Sequence, residues 1–303
     1  MHGLTQQQLN LVTRKSSAQA WFIVLSDWVL ITSALGAAAL LPNPITIVFA
    51  ILVIGCRQLS LGIIVHETGH QTFFESKRLN DFVGRWLSGY WVFSSKTDYM
   101  KGHLRHHQLA GTLDDPDLKN YAAYPVSKKS FRRKVWRDLS GQTGWRRLRS
   151  IGRSIVRYNT LNTEGQRVVR GGLITNIAFL GLLTALGQPW LYLVWVGAFV
   201  STHMLSTRLR QIGEHAAVPN GQSLDPRDHT RTILTQWWER LLIAPHQIGY
   251  HLEHHLLPSV PIYRLPTLHK MLVDNGYLAS DLVITGYPSL IRRVTHQHPI
   301  LKD

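Results

Sequence analysis

Cysteine is almost absent: Cys56 is the only one in 303 residues. An internal disulfide is therefore impossible, which excludes a disulfide-stapled secreted fold, and cysteine-built zinc ribbons and fingers go with it. Acid is scarce too. Only 18 Asp+Glu stand against 33 Lys+Arg, a formal charge of +15 before any of the 16 histidines is counted. Just 17% of the chain is charged while 45% is hydrophobic, with ten Trp, so disorder is excluded for the bulk and one domain, residues 1–303, is expected. The mean hydropathy near zero conceals long uncharged stretches that alternate with very basic ones. That is the pattern of a membrane protein with a large water-facing part.

Residues 20–41 hold one charge, Asp27, over a length that crosses a bilayer. After Pro42-Asn43-Pro44, residues 45–65 do the same with Arg57 alone inside, and deliver the chain to His66. Residues 172–186 and 190–206, joined by Gly187-Gln188-Pro189, form a second predicted hairpin. The expected fold is all-α: an integral membrane protein with four transmembrane helices in two hairpins and a helical cytoplasmic cap, residues 66–171 and 207–303, holding the site. Phe82 to Phe93 and Leu241 to Ile248 are too short to cross and are expected as re-entrant or interface-lying helices beside that site. A cleaved signal peptide is not indicated, because the first apolar run begins late and continues for a full bilayer width.

Arg14 and Lys15 precede the first span, 20 Lys+Arg lie between residues 66 and 172, and ten follow residue 206. Neither hairpin turn carries any. The positive-inside rule then places both termini and the polar mass in the cytoplasm, with a bacterial inner membrane as the expected location. Asp27 and Arg57 fall at similar depth, about 10 to 12 Å below the cytoplasmic ends of antiparallel helices. An ion pair holding the hairpin is expected; a place along a substrate path is the alternative.

Three histidine clusters stand out: His66-Glu67-Thr68-Gly69-His70, His103-Leu104-Arg105-His106-His107 and His251-Leu252-Glu253-His254-His255. On a helix, positions i, i+3 and i+4 share a face, so each cluster offers two or three imidazoles to one point, as a metal requires. Eight ligands exceed what one tetrahedral zinc takes and suit two ions, with iron, copper, zinc and nickel all compatible. His215, just after the fourth span, is a ninth candidate. Ligating imidazoles usually donate their other N–H to a carboxylate or carbonyl. Glu67, Glu214, Glu253 and Asp114, Asp115 or Asp117 are the candidate acceptors, and His246 is a candidate neighbour of the third cluster. His203 is expected near the membrane boundary, His229, His269, His296 and His298 on the surface, and His2 in the tail.

HxxxH at the end of a transmembrane hairpin, HxxHH some thirty residues on, a second hairpin and a final HxxHH resemble the membrane-bound fatty acid desaturase and hydroxylase superfamily, over residues 45 to 275. The resemblance implies a non-haem di-iron centre with His66, His70, His103, His106, His107, His251, His254 and His255 as ligands. His215 would correspond to the family's additional histidine, and Gln211 to a position where some relatives place an Asn that contacts the metal through water. It further implies O₂ as co-substrate, a lipid or acyl chain in a tunnel beside the metals, and desaturation as the reaction, with hydroxylation or ketolation of a lipid or carotenoid as the alternative. HETGH also reads literally as the HExxH zinc protease motif, but that reading leaves both HxxHH boxes unexplained.

No His-Pro-Gly-Gly haem motif occurs, so electrons are expected from a separate ferredoxin-like protein. Residues 128–170 carry 13 Lys+Arg and two acids, with Trp136 and Trp145 among basic residues at helical spacing. The segment suits helices lying on an anionic lipid surface, or a face for an acidic electron donor. No nucleic acid partner is implied. A metal transporter would need polar residues through the spans, where only Asp27 and Arg57 occur.

Overall fold

The computed structural model describes residues 3–279 and 282–295, so His2, His296 and His298 lie outside the described residues. The chain is mostly helical. The first half runs α1 (Gln6–Thr13), α2 (Ser17–Leu40), α3 (Pro44–Gly69), α4 (Lys77–Trp86), α5 (Lys96–Leu109), α6 (Leu118–Tyr121), α7 (Lys128–Leu139) and α8 (Gln142–Val156). The second half runs α9 (Thr163–Ala185), α10 (Leu191–Val200), α11 (Thr202–His215), α12 (Pro226–His229), α13 (Trp237–Leu242), α14 (His251–Leu256), α15 (Leu265–Asp274) and α16 (Gly286–Thr295). Among the described residues the single sheet is one parallel pairing of β1 (Thr232–Leu234) with β2 (Val283–Thr285), Ile233 opposite Ile284.

The helix starts follow from capping chemistry. Asn43 accepts from the backbone N–H of Ile45 and Thr46 and is followed by Pro44, whose missing N–H costs nothing in the first turn, so α3 begins there. Ser95 and Asn162 cap α5 and α9 in the same way.

Three stretches are long and apolar enough to cross a membrane: Gln6–Leu40, Pro44–Gly69 and Thr163–Ala185. In α3 67% of the most apolar window is buried, against 39% for Gln6–Leu40 and 44% for α9, which makes α3 the inner post of the bundle. It packs against α2, α4, α5, α10 and α11. Outward-facing Phe22, Leu40, Ile45 and Leu193 are left bare, as lipid-facing side chains would be. α9 begins nine residues before the expected 172, at Thr163.

The expected fourth span, 190–206, takes a different form. α10 stops at Val200, Ser201 leaves helical geometry, and α11 then carries the chain to His215. Ten residues rise only about 15 Å, half a hydrocarbon core. The break is placed by packing: a Cβ on Gly55 of α3 would overlap Thr202 Oγ1 and the His203 backbone nitrogen, so α3 and the start of α11 meet there without a side chain between them. Phe82 to Phe93 is also two pieces, the end of α4 and a 3-10 turn at Gly89–Val92 that rests on Gly171 and Gly172 of α9, through Tyr90 and the following Phe93. Leu241 to Ile248 is helical only as far as Leu242.

Arg57 Nη1 donates to Asp27 Oδ1 at 2.9 Å, both side chains buried, so the expected pair forms. More is attached to it. Asp27 also accepts from Ser60 Oγ, and its two oxygens lie 3.1 Å from His246 Nε2, while Arg57 Nη2 donates to the Arg240 carbonyl. His246 therefore sits on Asp27 and not beside the third histidine cluster as expected. The network ties α2 and α3 to the loop that leads into α14. Removing one partner of a buried ion pair leaves the other charge stranded at a cost of about 3–5 kcal/mol. Asp27→Ala is expected to lower the thermal midpoint of the detergent-solubilised protein sharply, whereas Ser26→Ala beside it, whose hydroxyl bonds only the Ile23 carbonyl, leaves the midpoint nearly unchanged.

Candidate metal centre

All nine histidines singled out as ligands come together, in two groups. His66, His70, His103, His107 and His254 form one, and His106, His215, His251 and His255 the other; within each group the donor atoms all lie within 4.8 Å of one another. His66 and His70 end α3, His103, His106 and His107 stand on α5, His215 ends α11, and His251, His254 and His255 lie on α14. The i, i+3, i+4 spacing divides α5 between the groups, because His103 and His107 turn one way and His106 the other. α14 divides the same way, His254 going to the first group and His251 and His255 to the second.

The facing atoms are the Nε2 atoms. In the first group His66 and His103 are 2.8 Å apart, His70 and His103 3.0 Å, His103 and His107 3.0 Å, His107 and His254 2.9 Å, and His66 and His254 3.1 Å. In the second, His106 and His215 are 3.2 Å apart, His215 and His251 2.9 Å, and His251 and His255 3.0 Å. Metal–imidazole bonds of about 2.0–2.1 Å put neighbouring ligands on one ion about 3 Å apart when they meet at right angles. Two cations fit these donor sets.

The opposite ring edges fix the tautomers. His215 Nδ1 donates to the His229 carbonyl at 2.9 Å, and since a carbonyl only accepts, its Nε2 carries the lone pair. Carboxylates stand in the same place for two more rings, Glu67 Oε1 2.9 Å from His66 Nδ1 and Asp115 Oδ1 2.8 Å from His106 Nδ1, while Glu214 Oε1 lies farther from His251 Nδ1, at 3.4 Å. Burial, reinforced by neighbouring imidazoles, lowers the His107 pKa to about 3 and pushes His103, His251, His254 and His255 down as well. The rings are therefore neutral at pH 7, the state a metal needs.

Asp115 is itself anchored. Burial works against its charge, but bonds from His106 and from the Tyr121 hydroxyl outweigh that and hold its pKa below the ordinary carboxylate value. Tyr121 in turn stacks on His215, ring centroids 5.0 Å apart. On α11, Arg210 Nε donates to Glu214 Oε1 at 2.6 Å, and Glu214 and Tyr99 together outweigh the effect of burial to raise the Arg210 pKa. A polar cavity of about 130 Å³ lies here, lined by His103, His106, His251, Arg210, Glu214 and Gln211. Gln211 thus faces the histidines.

Several expectations fail for local reasons. Glu253 accepts from Thr232 Oγ1 at 2.8 Å and faces His269 Nδ1, so it holds β1 and α15 rather than a clustered imidazole. Of the three aspartates offered as alternatives Asp115 is the one at an imidazole; Asp114 is exposed, and Asp117 accepts from Asn120 at 3.2 Å. His229, expected on the surface, is 4% exposed beside His215 and His255, and His269 is half-buried. Tyr99, stacked on His103 at 5.5 Å, and Tyr121 were not singled out by sequence; Tyr99 lies one helical turn before His103, a spacing that would have found it.

Residues 42–287 match the fatty acid desaturase family. The chain belongs to that family. It is similar to a dihydrorhizobitoxine desaturase of Bradyrhizobium elkanii, 25% identical over 246 residues that span 75% of this chain and 68% of the other. A beta-carotene ketolase of Paracoccus sp. (strain N81106 / MBIC 01143) is 29% identical over 225 residues, 71% of this chain and 76% of the ketolase. An endoplasmic-reticulum omega-3 fatty acid desaturase of Vigna radiata var. radiata is 25% identical over 296 residues, 83% and 71%. Fatty acid desaturase relatives are oxidoreductases, and both desaturation and oxygen insertion occur among them.

Losing the carboxylate behind a ligating imidazole typically costs 10–100-fold in metal affinity. Asp115→Ala is therefore expected to weaken metal binding by about that factor, measured by competition with a chelator, while Asp114→Ala leaves it unchanged.

Proposed function

We propose that the protein is a membrane-bound, O₂-dependent di-iron oxidoreductase that desaturates an acyl chain. The observation that carries this reading is the convergence of nine Nε2 atoms on two points in a family whose members use non-haem iron. His66, His70, His103, His107 and His254 hold one iron; His106, His215, His251 and His255 hold the other. Bound there, the irons would supply the redox chemistry that takes two hydrogens from unactivated C–H bonds, with O₂, two electrons and two protons consumed and two waters released as the double bond forms.

The chain's own residues supply position and dryness. Glu67, Asp115, Glu214 and the His229 carbonyl hold their imidazoles in one tautomer. Tyr99 walls the first group with its ring, and Arg210 and Glu214 satisfy one another's charge beside the polar cavity. The zinc protease alternative fits poorly. Its Glu must face the metal as a base, yet Glu67 Oε1 is turned to His66 Nδ1 and Oε2 accepts the Ile262 N–H at 2.9 Å.

We further infer a single desaturase-like domain in which α10 and the start of α11 complete the fourth, broken crossing, both termini and the metal centre are cytoplasmic, and the membrane is the bacterial inner one. The basic helices α7 and α8 receive an acidic, ferredoxin-like electron donor, because charge complementarity speeds such encounters. Hydroxylation or ketolation of a lipid or carotenoid is the second reading, favoured by the likeness to the Paracoccus ketolase.

Iron-loaded protein in lipid nanodiscs, given O₂, reduced ferredoxin and an acyl lipid, is expected to yield a product lacking two hydrogens. A product that gains oxygen overturns desaturation in favour of the second reading. Arg146→Glu with Arg149→Glu is expected to slow turnover about tenfold at limiting ferredoxin and low salt. Unchanged turnover removes the docking face.

A further inference from the structure

A cavity of about 300 Å³ opens between α5, α8 and α9, on the far side of Tyr99 from the polar cavity at the histidines. Tyr99 lines both. At its other end the cavity shares Phe93 and Ile151 with a small apolar pocket of about 60 Å³, walled by Trp91, Tyr192, Trp195 and Phe199. This cavity thus shares lining residues with both of the other spaces. It is not built like its apolar neighbour.

Arg147, Ser150, Ile151 and Ser154 of α8 line it at spacings of three, four and seven residues, one face of a helix. Ser94 faces them from the other wall. Arg147 is exposed as a residue, and its Nη2 donates to the Phe93 carbonyl at 2.9 Å. Among the described residues it forms no ion pair. The one carboxylate in the lining, Asp98, lies 3.7 Å from Lys101. The remaining donors of a planar fork, beside serine hydroxyls, match an oxyanion, the two nearby acids being engaged elsewhere, Asp98 with Lys101 and Glu164 with Arg167 and Ser95. A neutral hydrocarbon such as a carotene offers this rim no partner and would cover a guanidinium without compensating it.

We propose that the substrate carries an anionic oxygen group, a carboxylate or a phosphate, that Arg147 and the serine rim bind while its apolar part lies along Phe93 and Ile151 beside Tyr99. This rests on the oxidoreductase reading above and narrows its substrate to an anionic amphiphile.

The test is equilibrium binding of decanoate, decyl phosphate and decanol to the protein in nanodiscs, with empty nanodiscs subtracted and iron per chain measured on the same samples. Hydrogen bonds to a charged group support a difference of about tenfold or more. The wild type is expected to bind one of the anions at least tenfold more tightly than decanol. Preference for decanoate assigns a carboxylate; preference for decyl phosphate assigns a phosphate-bearing lipid. Arg147→Gln is expected to abolish the preference without changing decanol binding, and Arg147→Lys to restore most of it. Decanol bound as tightly as both anions, or all three lost alike in Arg147→Gln with Arg147→Lys no better, overturns the proposal. Iron retained with no anion preference refutes this inference alone; the preference retained in protein that takes up no iron refutes the oxidoreductase reading and leaves the anion site standing.

Discussion

Nine imidazoles whose Nε2 atoms face one another about 3 Å apart, buried or nearly so, are the constraint on which the rest of the architecture depends. Such an array is unfavourable unless cations occupy its centres, and its shape is steadied where rings are held from behind. The Nδ1 contacts of His66, His106, His215 and His251 do this, through Glu67, Asp115, the His229 carbonyl and Glu214. Each acceptor is pinned in its turn: Asp115 by Tyr121, Glu67 by the Ile262 backbone, Glu214 by Arg210.

The long helix α3 carries that constraint into the membrane. Its buried middle is gripped by α2, α10 and α11, and its last turn delivers His66 and His70. Because Gly55 lets α11 touch α3 directly, the break at Ser201 also sets where His215 arrives. The Asp27–Arg57–His246 network joins the same bundle to the loop before α14, so the third cluster is positioned against the first by a buried polar tie. Charges within the apolar spans thus read as scaffolding. Tyr99 lines both the polar cavity at the imidazoles and the cavity that Arg147 lines, so the two spaces meet at one ring.

Much of this was legible in the residues. The i, i+3, i+4 spacing named eight of the nine clustered histidines, with His215 added from its place after the fourth apolar run, two of the three apolar helices long enough to cross fell within a few residues of their expected positions, and Asp27 with Arg57 could be paired from helical rise alone. What failed was set by packing that no local pattern carries. The break at Ser201 comes from a contact made 146 positions away in the chain, at Gly55. His246 is drawn to Asp27 across 219 residues, and Glu253 faces β1 and His269 because α15 and the small sheet close over α14. His229 was expected on the surface because a lone histidine usually is; its burial follows from α12 folding back beside His215 and His255.

The most direct measurement is metal content per chain in purified protein, by elemental analysis, for the wild type and for His106→Ala. Close to two irons in the wild type, with at least the iron of the second group lost in the variant, is the result expected. A single zinc, kept in His106→Ala and lost in His66→Ala, would contradict the di-iron account.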